Sequence, residues 1–278
     1  MSIFLGIIQG ITEFIPVSSS GHLAILQNLF RVDYGNDAHL LFEVMVHLGT
    51  LGSIFVAYRK EIQSMISEAM DFLQRRTDSE PGEPIILKPN GRTLLFIIIG
   101  TLPMFIAVIV YFVGGVSRLF FYPAFIGFAL LITGGLLFVS ERFLDKGTKT
   151  EKTMTVVDAL IIGLAQSIAI IPGLSRSGTT ISVSLARGFT KPFAVRFSLL
   201  LSIPAVCGAT LVTLYQAFRE GANFYLFPIY LVGAGMAGIV GYFSIQFLRR
   251  IIVKSGTTGF AYYCWGLGIL TMILSIFV

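Results

Sequence analysis

Residues 9–22 carry the side chains of this chain that are best suited to chemistry. They read QGITEFIPVSSSGH and place the carboxylate of Glu13, three consecutive serine hydroxyls and the imidazole of His22 inside an apolar neighbourhood. An ionisable residue at membrane depth costs roughly 2.5–3.5 kcal/mol on insertion scales, so it normally pairs, faces a wet cavity or takes part in a reaction. A carboxylate, hydroxyls and an imidazole together can bind an oxyanion and move protons.

A second polar segment repeats this pattern 157 positions later. Residues 172–180 read PGLSRSGTT. The aligned pairs are Gln9 with Gln166, Ser18 with Ser175, Ser20 with Ser177, and Gly21 with Gly178. We interpret the two segments as halves of one site.

The two segments differ in the residues that matter for reactivity. Glu13 aligns with Ile170 and His22 aligns with Thr179, so the first segment holds the groups that handle protons. The second segment holds Arg176, whose planar guanidinium suits phosphate oxygens. A purely structural alternative is a buried ion pair between Arg176 and Glu13. Both interpretations hold if the pair opens when a substrate arrives.

Each segment directly precedes a predicted half-helix. The free amides and the positive dipole end of that half-helix form an anion site, and serines there can cap the helix or bind an oxyanion. Two such ends that converge can hold a pyrophosphate. The residues predicted on this basis to bind substrate are Ser18, Ser20, Gly21, Ser175, Ser177 and Gly178, with Gln9 on the same helical face as Glu13.

The composition is that of an integral membrane protein. Of 278 residues 55% are hydrophobic and only 13% are charged, and the mean hydropathy is +0.83. Soluble domains carry roughly 25% charged residues. The net charge of +5 does not indicate nucleic-acid binding, because the basic residues lie in short loops. No Lys or Arg precedes the first apolar run, so we expect no cleaved signal peptide.

Hydrophobic patterning predicts an all-α protein with one membrane domain, residues 1–278. Residues 3–30 and 156–189 are broken by Pro16 and Pro172 into pieces shorter than the roughly 20 residues that cross a bilayer, which predicts two re-entrant hairpins. An amphipathic helix at 61–73 is predicted to lie in the interface. About six full spans are predicted, at 42–58, 93–113, 119–139, 195–215, 226–248 and 258–278. The glycine-rich run 233–238 predicts close helix contacts.

The distribution of basic residues predicts the topology. With the N-terminus outside, 16 of the 20 Lys and Arg fall in inner loops and three fall in outer segments, and the remaining one is Arg176 in the second polar segment. Repeat one (1–139) and repeat two (156–278), joined by a linker at 140–155, then enter the membrane in opposite orientations. This is an inverted-topology repeat, with both termini outside and a site at the repeat interface that opens to the outer face of the plasma membrane.

The motifs QGITEFIPVSSSGH and PGLSRSGTT, together with residues 42–44 and 197–204, resemble those of the bacitracin-resistance type undecaprenyl-diphosphate phosphatases over nearly the whole chain. The resemblance implies a plasma-membrane enzyme that hydrolyses undecaprenyl diphosphate to undecaprenyl phosphate and orthophosphate. This reaction recycles the lipid carrier for cell-wall synthesis and confers bacitracin resistance. The resemblance assigns catalysis to Glu13, Ser19, His22 and Arg176, and adds Thr180 to the substrate-binding residues.

The resemblance also implies a divalent cation, Mg²⁺ or Ca²⁺. Many family members carry Glu where this chain has Gln9, so Glu13 is the one carboxylate of the motif. Since Mg²⁺ is usually bound by one or two carboxylates plus substrate phosphates, the metal is expected to depend on Glu13 and the diphosphate itself. The expected nucleophile is Ser19 or a water molecule, assisted by Glu13 and His22, and His22 itself is the third candidate.

A lipid-phosphate flippase or anion carrier is the alternative from another class, because inverted repeats with broken helices are a transporter plan. The concentration of Glu13 and His22 in one segment favours an enzyme, since a carrier has no evident use for it. A structural subunit would leave Glu13 and Arg176 unexplained. Glu43 and His47 are weaker site candidates. The expected partners are the polyprenyl diphosphate lipid and the membrane, and a homodimer is compatible with the sequence.

Overall fold

The computed structural model describes residues 1–30, 36–78, 88–113, 122–143, 146–219 and 224–276, and these residues are almost entirely helical. The α-helices are α1 (Ser2–Thr12), α2 (Ser19–Phe30), α3 (Asn36–Ala57), α4 (Arg59–Asp78), α5 (Pro89–Val113), α6 (Pro123–Ser140), α7 (Val156–Ile168), α8 (Arg176–Ala186), α9 (Lys191–Arg219), α10 (Phe227–Ser255) and α11 (Thr258–Leu274). The all-α prediction is confirmed.

Four helical segments are long and apolar enough to cross a membrane, namely Pro89–Val108, Pro123–Phe143, Lys191–Arg219 and Phe227–Ser255. A fifth is obtained if Leu41–Ala57 and Arg59–Gln74, which are bent by 75° at their junction, count as one span. The chain is therefore a multi-pass membrane protein. The predicted spans at 93–113, 119–139, 195–215 and 226–248 match the four helices, whereas α11 has only 17 residues.

Helix α4 has the amphipathic pattern predicted for residues 61–73. Ile66, Met70 and Leu73 are exposed along one side of this helix, whereas Met65 is buried. The sharp bend after Ala57 turns α4 away from the direction of α3. The helix and its apolar stripe agree with the sequence, and its position in the membrane interface remains a prediction.

Four short helices lie where the sequence predicts broken ones. Helices α1 and α8 have 11 residues each, so each extends for about 16 Å, roughly half of the hydrocarbon core. Helix α1 ends at Thr12, before Pro16, and helix α7 ends at Ile168. The sequence predicts that the second returning helix begins after the segment 172–180. This prediction is wrong, because the Ser175 side chain caps a helix that begins at Arg176, inside that segment.

Helix packing relates the two halves of the chain. Helix α1 packs on α10 and α7 packs on α5, while α3 packs on α10 and α9 packs on α5. Glycines allow the first two contacts: a Cβ at Gly6 would meet the backbone of Gly233, and a Cβ at Gly163 would meet the backbone of Gly100. The predicted close contacts of run 233–238 are confirmed, since Gly238 also lies against Gly49.

The largest apolar cluster lies between α8, α9 and the helices around them. It contains Ile181 and Leu185 of α8 and the stacked rings of Phe193 and Phe197 of α9. Phe14, which follows Glu13 directly, belongs to the same cluster and is 1% exposed. The cluster therefore anchors both polar segments on one rigid core.

A polar cluster centred on Asp158 fixes the base of the α7–α8 pair. The Asp158 carboxylate accepts hydrogen bonds from Thr155 in a capping box, from Arg187 Nε at 2.8 Å and from Lys149 Nζ at 3.3 Å. Its side chain has no exposed surface. Because Arg187 follows α8 and Asp158 lies in the first turn of α7, this carboxylate holds the two half-helices together at the end opposite the polar segment.

Replacing Asp158 by Asn is expected to lower the free energy of unfolding by about 1.5–3 kcal/mol, the range for hydrogen bonds to a charged group. Burial alone raises the pKa of Asp158, but the hydrogen bonds from Thr155, Arg187 and Lys149 outweigh burial and hold the pKa below its ordinary value of 3.8. The stabilisation is therefore present above about pH 4 and is lost as the pH falls through the folded pKa.

Thermal unfolding in detergent between pH 7 and pH 3 measures this effect. The difference between wild type and Asp158→Asn should shrink below about pH 4. The control is Glu151→Gln, which removes a pair with Arg196 in which both side chains are 27% exposed, and which should cost less than about 1 kcal/mol. A pH-independent difference for Asp158→Asn would contradict the prediction.

Candidate active site

The two polar segments meet in the folded protein. A Cβ at Gly21 would lie 3.5 Å from the Cα of Gly173, and a Cβ at Gly178 would lie 3.3 Å from the Cβ of Pro16. The backbone N–H of Gly173 also points at the Ser20 hydroxyl, at 3.5 Å. The structure thus brings together the two halves that the sequence aligns.

Glu13 is the centre of this meeting point. Its Oε2 accepts hydrogen bonds from Gln9 Nε2 at 3.0 Å and from the Ser19 hydroxyl at 2.8 Å. Its Oε1 accepts a hydrogen bond from Nη2 of Arg176, which comes from the other half of the chain. The Glu13 side chain is 3% exposed and that of Arg176 is 20% exposed. The buried ion pair considered from the sequence is therefore present.

The first segment is shaped by Ser18, the one non-glycine residue with a positive φ, 70°, in the part of the chain that the structure describes. Its hydroxyl accepts a hydrogen bond from the backbone N–H of Gly21 at 3.3 Å and lies 3.3 Å from the Ser20 hydroxyl. Ser18 thus caps α2, in addition to its predicted role in substrate binding. Its left-handed backbone directs Ser19 toward Glu13.

The second segment repeats this capping arrangement. The Ser175 hydroxyl accepts a hydrogen bond from the backbone N–H of Gly178 at 3.1 Å and lies 3.3 Å from the Ser177 hydroxyl. Thr133 of α6 holds the segment in place by accepting from the Ser175 N–H at 3.1 Å. Thr180 is buried one turn later and bonds to Ser198 of α9. Thr180 therefore has a packing contact in addition to its predicted binding role.

His22 lies beside this centre, and its two ring nitrogens form hydrogen bonds with Ser18 and Tyr263 rather than with Ser19. Nδ1 lies 2.7 Å from the carbonyl oxygen of Ser18, and Nε2 lies 2.7 Å from the hydroxyl of Tyr263. A carbonyl only accepts, so Nδ1 carries a proton, and in the neutral ring Nε2 accepts from Tyr263. The two rings are also stacked, with centroids 5.7 Å apart. The proton position of His22 is thus coupled to Tyr263.

Comparison with known proteins shows which family this chain belongs to. The family model described as "Bacitracin resistance protein BacA" matches residues 2–270. The chain belongs to the BacA family. The family membership predicted from the two motifs is therefore confirmed.

Full-length relatives support the same assignment. The undecaprenyl-diphosphatase of Carboxydothermus hydrogenoformans is 39% identical over 276 residues, covering 98% of this chain and 96% of that protein. The undecaprenyl-diphosphatase of Halothermothrix orenii is 39% identical, with 98% and 96% covered. The undecaprenyl-diphosphatase of Methanosphaera stadtmanae is 38% identical, with 99% and 97% covered.

Two side chains near the centre were not among the main predictions. His47 of α3 brings its Nε2 to 3.9 Å from Glu13 Oε2, and its Nδ1 lies 2.9 Å from the Glu43 carbonyl oxygen. Of the two weaker site candidates, His47 therefore lies close to Glu13, whereas the Glu43 side chain is exposed.

Tyr263 was missed altogether, because it lies in an apolar helix without any local motif. Gln166, the counterpart of Gln9, is fully buried and neither of its amide atoms has a hydrogen-bond partner among the described residues.

Replacing Tyr263 by Phe is expected to lower the rate of phosphate release by about five- to tenfold. The change keeps the ring stacked on His22 and removes one hydrogen bond, which contributes roughly 1 kcal/mol. It also frees the lone pair of His22 Nε2, so the pH–rate profile of this BacA-family protein should change.

The measurement is phosphate release as a function of pH. The control is Tyr262→Phe, whose ring packs on Phe138 and Trp265. Identical profiles for both variants would contradict the coupling.

Proposed function

We infer that this chain hydrolyses undecaprenyl diphosphate to undecaprenyl phosphate and orthophosphate, and so recycles the lipid carrier for cell-wall synthesis and confers bacitracin resistance. The observation that carries this conclusion is the cross-segment constellation in which Glu13 accepts from both Ser19 and Arg176. It places the Ser19 hydroxyl as a nucleophile, the Glu13 carboxylate as a base and the Arg176 guanidinium as a phosphate-binding group around one buried position. The relatives named undecaprenyl-diphosphatase agree over nearly their full length.

The diphosphate is proposed to bind where the N-termini of α2 and α8 converge. Both helices present backbone amides at this point, and serine hydroxyls flank each of them. The guanidinium of Arg176 then turns part of its fork from Glu13 to the phosphate oxygens. This exchange frees one oxygen of Glu13 at the moment when the substrate arrives, which prepares the carboxylate to accept a proton.

In the proposed reaction the Ser19 hydroxyl attacks the terminal phosphorus while its proton passes to Glu13. The bond between that phosphorus and the bridging oxygen breaks, and undecaprenyl phosphate leaves. A water molecule then attacks the phosphorus of the phosphoserine, the bond from that phosphorus to the Ser19 oxygen breaks, and the proton that the water loses passes through Glu13 to the Ser19 oxygen. Arg176 and the helix amides stabilise the charge that develops on the phosphoryl oxygens. His22, held by Tyr263 and Ser18, is placed to move protons between the site and its surroundings.

Trapping a phosphorylated enzyme tests whether Ser19 or water is the nucleophile. Substrate labelled in its terminal phosphate is mixed with the enzyme and quenched in acid within one turnover. Label should remain on the wild-type protein and be absent from Ser19→Ala, whose release rate should fall by about 10³-fold, as for loss of a catalytic group. The matched control is Ser244→Ala, which removes a hydroxyl of α10 that donates to the Val240 carbonyl at 2.9 Å and takes no part in the proposed site. Substantial turnover by Ser19→Ala without a trapped intermediate would favour direct attack by water.

The oxygen donors near Glu13 fit a hard cation only in part. No group of three or more His, Cys, Asp and Glu side chains forms a metal site within the described ranges. Gln9 Oε1, however, is buried without a hydrogen-bond partner one turn from Glu13, and both are oxygen donors of the kind that Mg²⁺ and Ca²⁺ prefer. We propose that Glu13 and Gln9 hold the cation together with the substrate phosphates. When bound, the cation would neutralise charge on the diphosphate.

The inverted repeat and its orientation are part of the proposal. The corresponding packing of α1 on α10 and of α7 on α5, and the matching serine caps, support repeats at 1–139 and 156–278 joined by a linker at 140–155. The excess of Lys and Arg in one set of loops supports a plasma-membrane topology with both termini outside. The site would then open to the outer face. A homodimer remains a prediction.

Orthophosphate release from undecaprenyl diphosphate by the purified protein in detergent, with and without Mg²⁺ or Ca²⁺, tests the proposed function. Cation-dependent release is expected, and chelation should abolish it. A folded protein that releases no phosphate but moves labelled lipid across vesicles would support the carrier or flippase.

A further inference from the structure

A second polar cavity lies away from the active site. It has a volume of about 640 Å³, is open on one side and is lined by α4, α9, α10 and the segments that precede α7 and α9. No residue assigned above to catalysis or substrate binding lines it. The charged residues of its wall are Glu61, Glu151, Arg196, Arg249, Arg250 and Lys254.

The cavity has an excess of positive charge. Four cationic side chains face two carboxylates, and one carboxylate, Glu151, is already paired with Arg196 at 3.1 Å. Within the part of the chain that the structure describes, Arg249, Arg250 and Lys254 make no ion pair. Concentrated positive charge in a concave wall attracts an anion and raises its local concentration.

Two buried polar atoms beside the cavity have no hydrogen-bond partner among the described residues. One is Nε of Arg196, which lines the cavity and whose guanidinium also stacks on Phe193. The other is the hydroxyl of Tyr58, a fully buried side chain whose ring lies under the guanidinium of Arg249 at 5.5 Å. Buried donors without acceptors are costly. Arg196 lines the cavity, so an oxygen-rich anion there supplies the missing acceptor once the guanidinium turns its buried Nε toward the cavity.

The position of the cavity indicates where such an anion comes from. Helices α9 and α10 are both long enough to cross the membrane, and the cavity lies at the end of α10 and the beginning of α9. Phe247 and Val253 are exposed on α10 beside it, at 49% and 45%. An anionic headgroup in the cavity would thus have apolar helix surface next to it for its acyl chains.

We propose that this cavity binds the phosphate headgroup of an anionic phospholipid from the surrounding bilayer. Arg249, Arg250 and Lys254 contact the phosphate, and Arg196 turns its guanidinium to donate its free Nε–H to it. The ligand is part of the membrane and does not react. The site is independent of the diphosphate that enters the active site.

Native mass spectrometry of the detergent-solubilised full chain tests the proposal, with phosphatidylglycerol, phosphatidylcholine and inorganic phosphate as separate probes. Phosphatidylglycerol should bind to the wild type at low micromolar or tighter affinity. The variant Arg249→Gln/Arg250→Gln/Lys254→Gln should bind about 100-fold more weakly, at about fivefold for each basic side chain near a lipid surface. The charge-matched control, Lys60→Gln/Arg142→Gln/Lys146→Gln, removes three cations that do not line the cavity and should bind like the wild type.

Three results would overturn the proposal. They are equal loss of binding in both triple variants, equal binding of phosphatidylcholine and phosphatidylglycerol, and binding of inorganic phosphate that displaces the lipid at equal concentration. If the cavity triple variant does not fold, Arg250→Gln alone decides the matter. It changes one exposed side chain and should weaken phosphatidylglycerol by about fivefold. An unchanged affinity in that variant would also contradict the proposal.

Discussion

Replacing Glu13 by Gln is expected to lower the rate of orthophosphate release by about 10³-fold, within the range for loss of a general base. The amide cannot take the proton of Ser19, although it has nearly the same size and can still accept one hydrogen bond. It also removes the one carboxylate that is proposed to hold the cation. Release of orthophosphate from undecaprenyl diphosphate at saturating cation measures the effect.

A loss of activity must be separated from a loss of folding. In Glu13→Gln the guanidinium of Arg176 keeps its charge but loses its counter-ion, and breaking a buried pair costs roughly 3–5 kcal/mol. The double variant Glu13→Gln/Arg176→Gln removes both charges. We expect its thermal stability to recover while its activity stays lost. More than a tenth of wild-type activity in Glu13→Gln would show that the carboxylate serves structure rather than chemistry.

The sequence was sufficient to find the centre of the site because its signals are local. Residues 9–22 and 172–180 each combine a helix break with capping serines, and these patterns do not depend on the rest of the fold. The repeat at a fixed spacing further indicates that the two segments are related. The contact of Glu13 with Arg176 follows once the segments converge, although they are 163 positions apart.

Other parts of the site depend on tertiary packing and have no local signal. Tyr263 reaches His22 across 241 positions from an otherwise apolar helix, where a single Tyr is indistinguishable from an interfacial side chain. The start of α8 was predicted too late because the serine that caps it lies within the polar motif itself. The bend between α3 and α4 is likewise set by packing, since hydropathy does not encode direction.

Replacing Arg176 by Lys is expected to lower kcat by about 10²-fold, and replacing it by Ala by about 10³-fold. Lysine keeps the charge, but its ammonium is a point donor and cannot bridge Glu13 and a phosphate oxygen as the planar fork does. Because the guanidinium stabilises charge that grows in the transition state, kcat should fall more than KM rises. Steady-state kinetics with undecaprenyl diphosphate separate the two parameters.

The matched control for this change is Arg142→Lys, which alters an exposed arginine outside the site in the same way and should leave both parameters unchanged. If Arg176 only held Glu13 in place, Arg176→Lys would preserve the ion pair and keep most of the activity. A role in phosphate recognition instead requires the full fork, so the lysine variant should stay folded and yet be slow. The size of the kcat effect in Arg176→Lys therefore distinguishes a structural ion pair from one that opens for the substrate.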